Sequence, residues 1–175
     1  MRPHPGDVAQ LVEQRTENPC VDGSIPPITT TEPGFKFIRR TLMKIAESRY
    51  RKVLLIDDNE IDNFINERMI TSSHFSTAVE VHNSADKALD ALRNLSENSE
   101  IPEIIFLDLN MPVKDGFAFL KEYELLPDFI RNTSRIVVLS SSISPEDISR
   151  ASTNPHVFKY VNKPLSEKYL EAIIL

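Results

Sequence analysis

The 175-residue sequence predicts an α/β fold, a doubly wound parallel β-sheet with helices on both faces. Three observations lead to this prediction. After residue 43, short apolar runs rich in branched residues recur five times, helical segments follow each run, and several runs end on acids, serine or lysine. Continuous apolar runs are typical of strands buried on both faces. Strands that alternate with helices join in parallel.

The first two strand–helix units are predicted between residues 53 and 92. Val53–Ile56 is the first strand, and Asn59 caps the helix that follows it. The apolar positions of this helix recur with the spacing of an amphipathic helix: Ile61, Phe64, Ile65 and Met69. Asp62 is expected on its exposed face. Thr77–Val81 is the second strand, and Ser84 caps a helix with three inward side chains: Ala88, Leu89 and Leu92.

The third strand, Ile104–Leu107, ends directly before Asp108. A turn over residues 110–116 leads into a helix that runs to about Leu126, because Pro127 disfavours its continuation. The inward positions of this helix are three: Phe117, Leu120 and Tyr123.

The last two strands are predicted at Ile136–Leu139 and Val157–Val161. Between them, the segment SPED at residues 144–147 has the features of a helix start, with a cap serine, a proline at the first position and acids in the first turn. Ser166 caps a final helix that is expected to reach Leu175.

Composition excludes several classes of function. The net charge of −6 argues against a nucleic-acid surface, which usually has a basic face. The single cysteine, Cys20, excludes an internal disulfide framework and an all-cysteine metal site. No apolar stretch approaches the ~18 residues that span a bilayer, and no signal peptide is visible. A cytoplasmic protein without membrane contact is therefore expected.

Residues 1–42 differ from the rest of the chain. They contain three of the four glycines and six of the twelve prolines, without sustained periodicity, as in disordered segments. The stretch over residues 6–27 also resembles a peptide that arises when a transfer-RNA gene is translated by mistake. Two interpretations remain open, a flexible arm and a non-native extension with the natural start at Met43. Residues 43–175 are expected to form one domain.

The unusual polar residues all follow predicted strands. Asp57 and Asp58 follow the first strand, Asp108 the third, Ser140 the fourth, and Lys163 lies just beyond the fifth. Because ligands of such sheets bind outside the carboxyl ends of the strands, these side chains are expected to share one edge. Converging carboxylates repel one another unless a cation joins them.

A magnesium-dependent phosphoryl-transfer site fits these residue types. Mg²⁺ prefers oxygen ligands and takes one or two carboxylates with a phosphate oxygen. Asp58 and Asp108 can supply carboxylate oxygens, Asn110 its backbone carbonyl, and Asp57 can hold a coordinated water. A nearby lysine balances the charge. Aspartate is an established covalent phosphoryl acceptor.

Four segments resemble the response-regulator receiver domain of two-component signalling: LLIDDNE, FLDLNMPVKDG, VVLSSS and YVNKP. The resemblance covers about residues 52–175 and is closest to the single-domain, chemotaxis-regulator type. It implies a flavodoxin-like (βα)5 fold with strand order 2-1-3-4-5. It also implies that Asp108 is the phosphoacceptor, and that Asp57, Asp58 and Asp108 bind Mg²⁺ or Mn²⁺ with the backbone carbonyl of Asn110.

The resemblance assigns roles to further residues. Ser140 and Lys163 stand where the family contacts the phosphoryl group, and Tyr160 matches the aromatic residue that turns inward on activation. Ser141 departs from the small residue, commonly alanine, at its position. Three residues match structural positions, of which the first two lie in the turn after the acceptor and the last follows a peptide bond that is usually cis: Pro112, Gly116 and Pro164.

The expected function is a phosphorylation switch rather than an enzyme. A partner histidine kinase or phosphotransfer protein donates to Asp108, and an unknown output protein reads the result. Slow Mg²⁺-dependent self-dephosphorylation is expected, with its rate tuned by Asn110 and Ser142. The protein is expected to be a monomer or a weak, phosphorylation-dependent dimer. Two alternatives remain: a phosphorylation-independent binding module, and an aspartyl-phosphate phosphohydrolase, which is disfavoured because Asn110 stands where such enzymes usually carry a second aspartate.

Overall fold

The structure is a computed structural model that describes residues 48–173. The expectations for residues 1–42 and for a start at Met43 therefore lie outside the described residues, as does the expected end of the last helix at Leu175. Within the described part, every helix is too short or too polar to cross a membrane.

Five parallel strands form one sheet in the order β2-β1-β3-β4-β5. This confirms the predicted fold class and strand order. The strands have these bounds: β1 Tyr50–Ile56, β2 Ser76–His82, β3 Ile104–Leu107, β4 Arg135–Ser140 and β5 Val157–Asn162. Each extends the predicted apolar run by up to three residues, except β3, whose bounds agree with the prediction.

Helices follow the strands, and residues 48–173 contain six of them. Their bounds are α1 Glu60–Ser72, α2 Ala85–Arg93, α3 Gly116–Tyr123, α4 Asp128–Thr133, α5 Pro145–Ser152 and α6 Glu167–Glu171. The short helix α4 was not predicted. It begins directly after Pro127, whose fixed φ suits a helix start, and Arg131 Nε donates to the Leu126 carbonyl at 2.8 Å. The last helix ends at Glu171, earlier than predicted.

Alternating strand residues build an apolar layer on each face of the sheet. One layer joins Leu54, Ile56 and Leu107 to α2 and α3, and the other joins Leu55 and Phe106 to side chains of α1 and α6. The predicted inward residues of α2 are buried. In α3, Leu120 and Tyr123 are buried and Phe117 is half-buried, while Phe119 is also buried although it was not predicted. The sheet is therefore covered on both faces, as predicted.

Helix α1 buries only part of the apolar face that its sequence predicts, because Met69 packs half-buried against the core while the other predicted residues do not. Ile61, Phe64 and Ile65 are 69%, 59% and 45% exposed, whereas Asn63 and Asn66 are buried. The reason lies at the start of the helix, where Asn63 Nδ2 donates to the Asp57 carbonyl at 2.7 Å. A buried backbone carbonyl needs such a partner, and this contact turns the amide side of the helix toward the sheet.

Candidate functional site

Two buried aspartates continue the hydrogen-bond ladder beyond the ends of their strands. The Asp57 N–H donates to the His82 carbonyl at 3.2 Å, and the Asp108 N–H donates to the Ile56 carbonyl at 2.9 Å. Both backbones are therefore held by neighbouring strands, and both side chains lie at the same sheet edge.

Three predicted metal ligands lie together at this edge. One carboxylate oxygen from each of Asp57, Asp58 and Asp108 lies within 4.8 Å of the others. Asp57 and Asp108 are buried, while Asp58 is exposed. Burying two neighbouring carboxylates is unfavourable without positive charge between them. The donor set, three hard carboxylate oxygens of which one belongs to an exposed residue, fits a magnesium-type cation.

Lys163 supplies a positive charge inside the cluster. Its Nζ lies 2.6 Å from Asp57 Oδ2, 2.9 Å from Asp108 Oδ2 and 2.9 Å from Asp62 Oδ2. The Lys163 N–H donates to the Ser140 carbonyl at 3.0 Å, which fixes the lysine beside the end of β4. The peptide bond between Lys163 and Pro164 is cis.

The structure corrects the expectation for Asp62. It was expected on the exposed face of α1, but it is half-buried and paired with Lys163. An acid in the first turn of a helix is already favoured by the helix dipole. The sequence therefore contained no separate signal that Asp62 contacts Lys163. Because α1 begins at the pocket edge, its first turn faces the end of β5.

The environment shifts the proton affinities of both central groups. Burial raises the pKa of the Asp57 carboxyl above its ordinary value, although hydrogen bonds from Lys163 and the Asn59 N–H act in the opposite direction. Burial lowers the pKa of the Lys163 ammonium, but hydrogen bonds to the three facing carboxylates outweigh burial and leave it raised. Lys163 is therefore a permanent positive charge at neutral pH.

The predicted switch residues lie on neighbouring strands, Ser140 at the end of β4 and Tyr160 within β5. Ser140 is fully buried, and its Oγ accepts from the Ser142 N–H at 3.1 Å. Ser142 Oγ donates to Asp147 Oδ2 at 2.7 Å, and the Tyr160 hydroxyl donates to the Ser142 carbonyl at 2.8 Å. The loop after β4 is thus connected to both α5 and β5.

The turn after Asp108 is closely packed. The Asn110 N–H donates to Asp108 Oδ1 at 3.1 Å, and the Gly116 N–H donates to the Leu109 carbonyl at 3.0 Å. A Cβ atom at Gly116 would lie 2.5 Å from the Asp108 carbonyl oxygen. Pro112 is exposed within this turn, and the next residue, Val113, has a positive φ of 67°. Glycine at position 116 lets the helix approach the acceptor loop.

Residues 53–175 match the family model of the response regulator receiver domain. Among curated proteins, the response regulator Rcp1 of Synechocystis sp. is 32% identical over 120 residues, which cover 67% of this chain and 80% of that protein. The sensor histidine kinase CheAY of Helicobacter pylori is 27% identical over 141 residues, but these span 17% of its length.

Solved structures show the same similarity. A two-component response regulator from Cytophaga hutchinsonii has a TM-score of 0.66 and 33% identity, covering 70% of this chain and 92% of that one. The phosphorylated cyanobacterial phytochrome response regulator RcpA has a TM-score of 0.57 and 32% identity, with coverage of 69% and 86%. The similarity therefore extends to both fold and sequence.

Proposed function

The chain belongs to the response regulator receiver domain family, and from this premise we propose that it accepts a phosphoryl group on Asp108 and thereby switches its protein contacts. The donor is a partner histidine kinase or a phosphotransfer protein. The observation that carries the proposal is the Lys163 ammonium, which lies within 3 Å of buried carboxylates from Asp57 and Asp108. A buried acceptor beside a fixed cation is what phosphoryl transfer to a carboxylate requires.

The proposed transfer forms one bond and breaks one. A carboxylate oxygen of Asp108 attacks the phosphorus of a phosphohistidine, and the P–N bond breaks with its electron pair on the imidazole, which then takes up a proton. Lys163 donates to a phosphoryl oxygen, and the Ser140 hydroxyl donates to another. Positioning and charge neutralisation supply most of the rate.

A divalent cation, Mg²⁺ or Mn²⁺, completes the proposed site. Asp57, Asp58 and Asp108 would hold it with the backbone carbonyl of Asn110, in agreement with the spacing of their carboxylate oxygens. Bound there, the ion neutralises charge on the phosphoryl oxygens. Without it, the chain's own groups still orient the acceptor, through Lys163 and the Asn110 N–H.

The proposed output is a change of surface near β4, α5 and β5. Ser140 moves toward the phosphoryl group, the loop after β4 follows, and Tyr160 turns inward because its hydroxyl partner, the Ser142 carbonyl, lies in that loop. A partner that prefers one conformation then reads the state. The side chains of Asn110 and Ser142 tune the rate of self-dephosphorylation.

The family is one of signal receivers in two-component systems rather than of classical enzymes. We place the domain at residues 43–175 and the protein in the cytoplasm, as a monomer or a weak dimer that forms on phosphorylation. Residues 1–42 are proposed to be dispensable for phosphoryl acceptance.

Intact-mass spectrometry with acetyl phosphate and Mg²⁺ tests the proposal. We expect one added phosphoryl group on the wild-type protein and none on Asp108→Asn. Asp90→Asn is a matched control, because Asp90 is exposed on α2 and pairs only with Arg93 in the described part of the chain. Phosphoryl uptake that persists in Asp108→Asn would contradict the assignment. A wild-type protein that neither takes up a phosphoryl group from acetyl phosphate nor binds beryllofluoride would also contradict it. Steady turnover of a generic phosphoester would indicate a phosphohydrolase.

A further inference from the structure

Three carboxylates surround the Lys163 ammonium, and two of them, Asp62 and Asp108, accept from it with hydrogen-bond geometry. A lysine ammonium has three donors and no acceptor, and oxygens of Asp57, Asp108 and Asp62 lie at 2.6, 2.9 and 2.9 Å. A phosphoryl oxygen that approaches Lys163 therefore competes with these carboxylates for the ammonium.

Asp62 is the carboxylate that can leave at the lowest cost. Its side chain is 33% exposed, compared with 4% for Asp57 and 6% for Asp108. A buried carboxylate that loses its partner remains desolvated, whereas an exposed one regains water. The backbones of Asp57 and Asp108 are also held by the strand ladder, while Asp62 lies on the first turn of α1.

A small cavity beside Lys163 offers new partners to the released carboxylate. It has a volume of about 250 Å³ and is lined by Asp62, Asn66, Ser141, Lys163 and Pro164. Asn66 is 2% exposed and lies one helical turn from Asp62, a spacing at which Asp and Asn side chains can pair. The side-chain amide of Asn66 and the hydroxyl of Ser141 take part in none of the hydrogen bonds found among residues 48–173.

We propose that Asp62 is a positioning residue, which holds Lys163 while Asp108 is unmodified and competes with the phosphoryl group for the lysine ammonium. The inference rests on the proposed function of Asp108. On phosphorylation, the Lys163 donor transfers from Asp62 to a phosphoryl oxygen, and the Asp62 carboxylate turns toward Asn66 and Ser141. Asp62 thereby sets how strongly the site holds an anion.

If Asp62 has this role, removing its charge should change the binding of anions and of cations in opposite directions. The negative charge of Asp62 opposes an anion on Asp108 and favours a nearby cation. Asp62→Asn should therefore bind beryllofluoride, an analogue of the phosphoryl group, more tightly, and should bind Mg²⁺ equally or more weakly. A structural defect in the pocket would weaken the binding of both.

The test is a beryllofluoride titration of the full chain at saturating Mg²⁺, followed by ¹⁹F NMR, with Mg²⁺ affinity measured separately by calorimetry. We expect Asp62→Asn to bind beryllofluoride about three- to tenfold more tightly, as for one unit charge removed at short range in a partly exposed site. Asp62→Glu keeps the charge, so its beryllofluoride affinity should lie within about twofold of wild type. Glu60→Gln is the matched control, since Glu60 lies in the same first turn and is exposed, and it should also stay within about twofold.

Beryllofluoride affinity in Asp62→Asn that is unchanged or weaker would overturn the role of Asp62, as would an equal gain in Glu60→Gln. If the wild-type protein binds no beryllofluoride, the proposed function of Asp108 itself fails. The two failures are distinguishable, because only the second is visible without any substitution.

Discussion

Replacing Gly116 with alanine is expected to displace the backbone that holds the acceptor aspartate. The added Cβ would lie 2.5 Å from the Asp108 carbonyl oxygen and 2.7 Å from Leu109 Cα. Favourable contacts between such atoms begin at about 3.5 Å. Both neighbours are backbone atoms, so a side-chain rotation cannot relieve the contact, and either helix α3 or the loop after β3 has to move by about half an ångström or more.

The size of the effect follows from the packing. Forcing an extra carbon into a packed site costs about 1–3 kcal/mol. The better helix propensity of alanine offsets less than its interior value of about 1 kcal/mol, because Gly116 is the first residue of α3. With an unfolding entropy of about 2.1 cal/mol/K per residue over residues 48–173, the steric cost alone corresponds to a fall of roughly 4–11 °C in melting temperature, and the propensity gain of alanine reduces this fall.

The same shift should slow phosphorylation. Asp108 Oδ2 lies 2.9 Å from Lys163 Nζ, and a misplacement of about 1 Å in a reacting group can reduce a rate by about 100-fold. We expect phosphoryl uptake from acetyl phosphate to be at least ~10-fold slower in Gly116→Ala. Intact-mass time courses with Mg²⁺, run below the melting temperature of the variant, would measure it.

A control separates local displacement from general loss of stability. Ile130 is fully buried in α4, before the start of β4 and hence away from the edge that carries Asp108. Ile130→Val should lower the free energy of unfolding by about 0.5–1.5 kcal/mol and leave phosphoryl uptake unchanged. The reasoning is refuted if Gly116→Ala melts within about 1 °C of wild type and is phosphorylated at the wild-type rate.

Three further predictions concern other parts of the domain. If Mg²⁺ half-saturates the site at about 1 mM, 10 mM Mg²⁺ should stabilise the fold by about 1.4 kcal/mol, and a melting temperature equally responsive in Asp57→Asn would contradict the ligand assignment. Tyr160→Phe removes the hydroxyl bond to the Ser142 carbonyl and should cost about 0.5–1.5 kcal/mol in denaturant unfolding, with labelling of the acceptor retained; an unchanged unfolding midpoint would exclude a stabilising bond. Burial, and secondarily the charge of Arg131, lower the pKa of His156 from 6.5; because the unfolded chain then binds more protons, stability should fall as the pH falls below about 6.5. His156→Gln should flatten this slope in melts between pH 7 and 5, and an identical slope would assign it to other groups.

The strands and the edge of the sheet were predictable because buried parallel strands have a simple sequence pattern. Runs such as Ile104–Leu107 contain only large apolar residues, and the prediction of β3 agrees with the structure residue for residue. The position of a residue directly after such a run places it at the carboxyl edge. For this reason the convergence of Asp57, Asp108 and Lys163 followed from order along the chain alone.

The inward face of α1 was not predictable from hydropathy, because the decisive contacts are polar. Asn63 is buried since it satisfies the Asp57 carbonyl, and this leaves Phe64 to the solvent side. Asp62 was missed for a related reason: its partner, Lys163, lies 101 positions away in sequence. Helix α4 was missed because six residues after a proline carry too few apolar positions to show a period.

The ladder bonds of Asp57 and Asp108 also determine where the chain can change in length. Each carboxylate lies one position beyond its strand, so inserting a single residue within β1 or β3 would send it to the opposite face of the sheet. The segment 96–100 between α2 and β3 contains no such constraint, since the hydrogen bonds found there are local and the bonds to the sheet begin at Glu103. Length variation in relatives, and grafted epitopes or tags in engineered versions, should therefore be tolerated in this segment and rejected within β3.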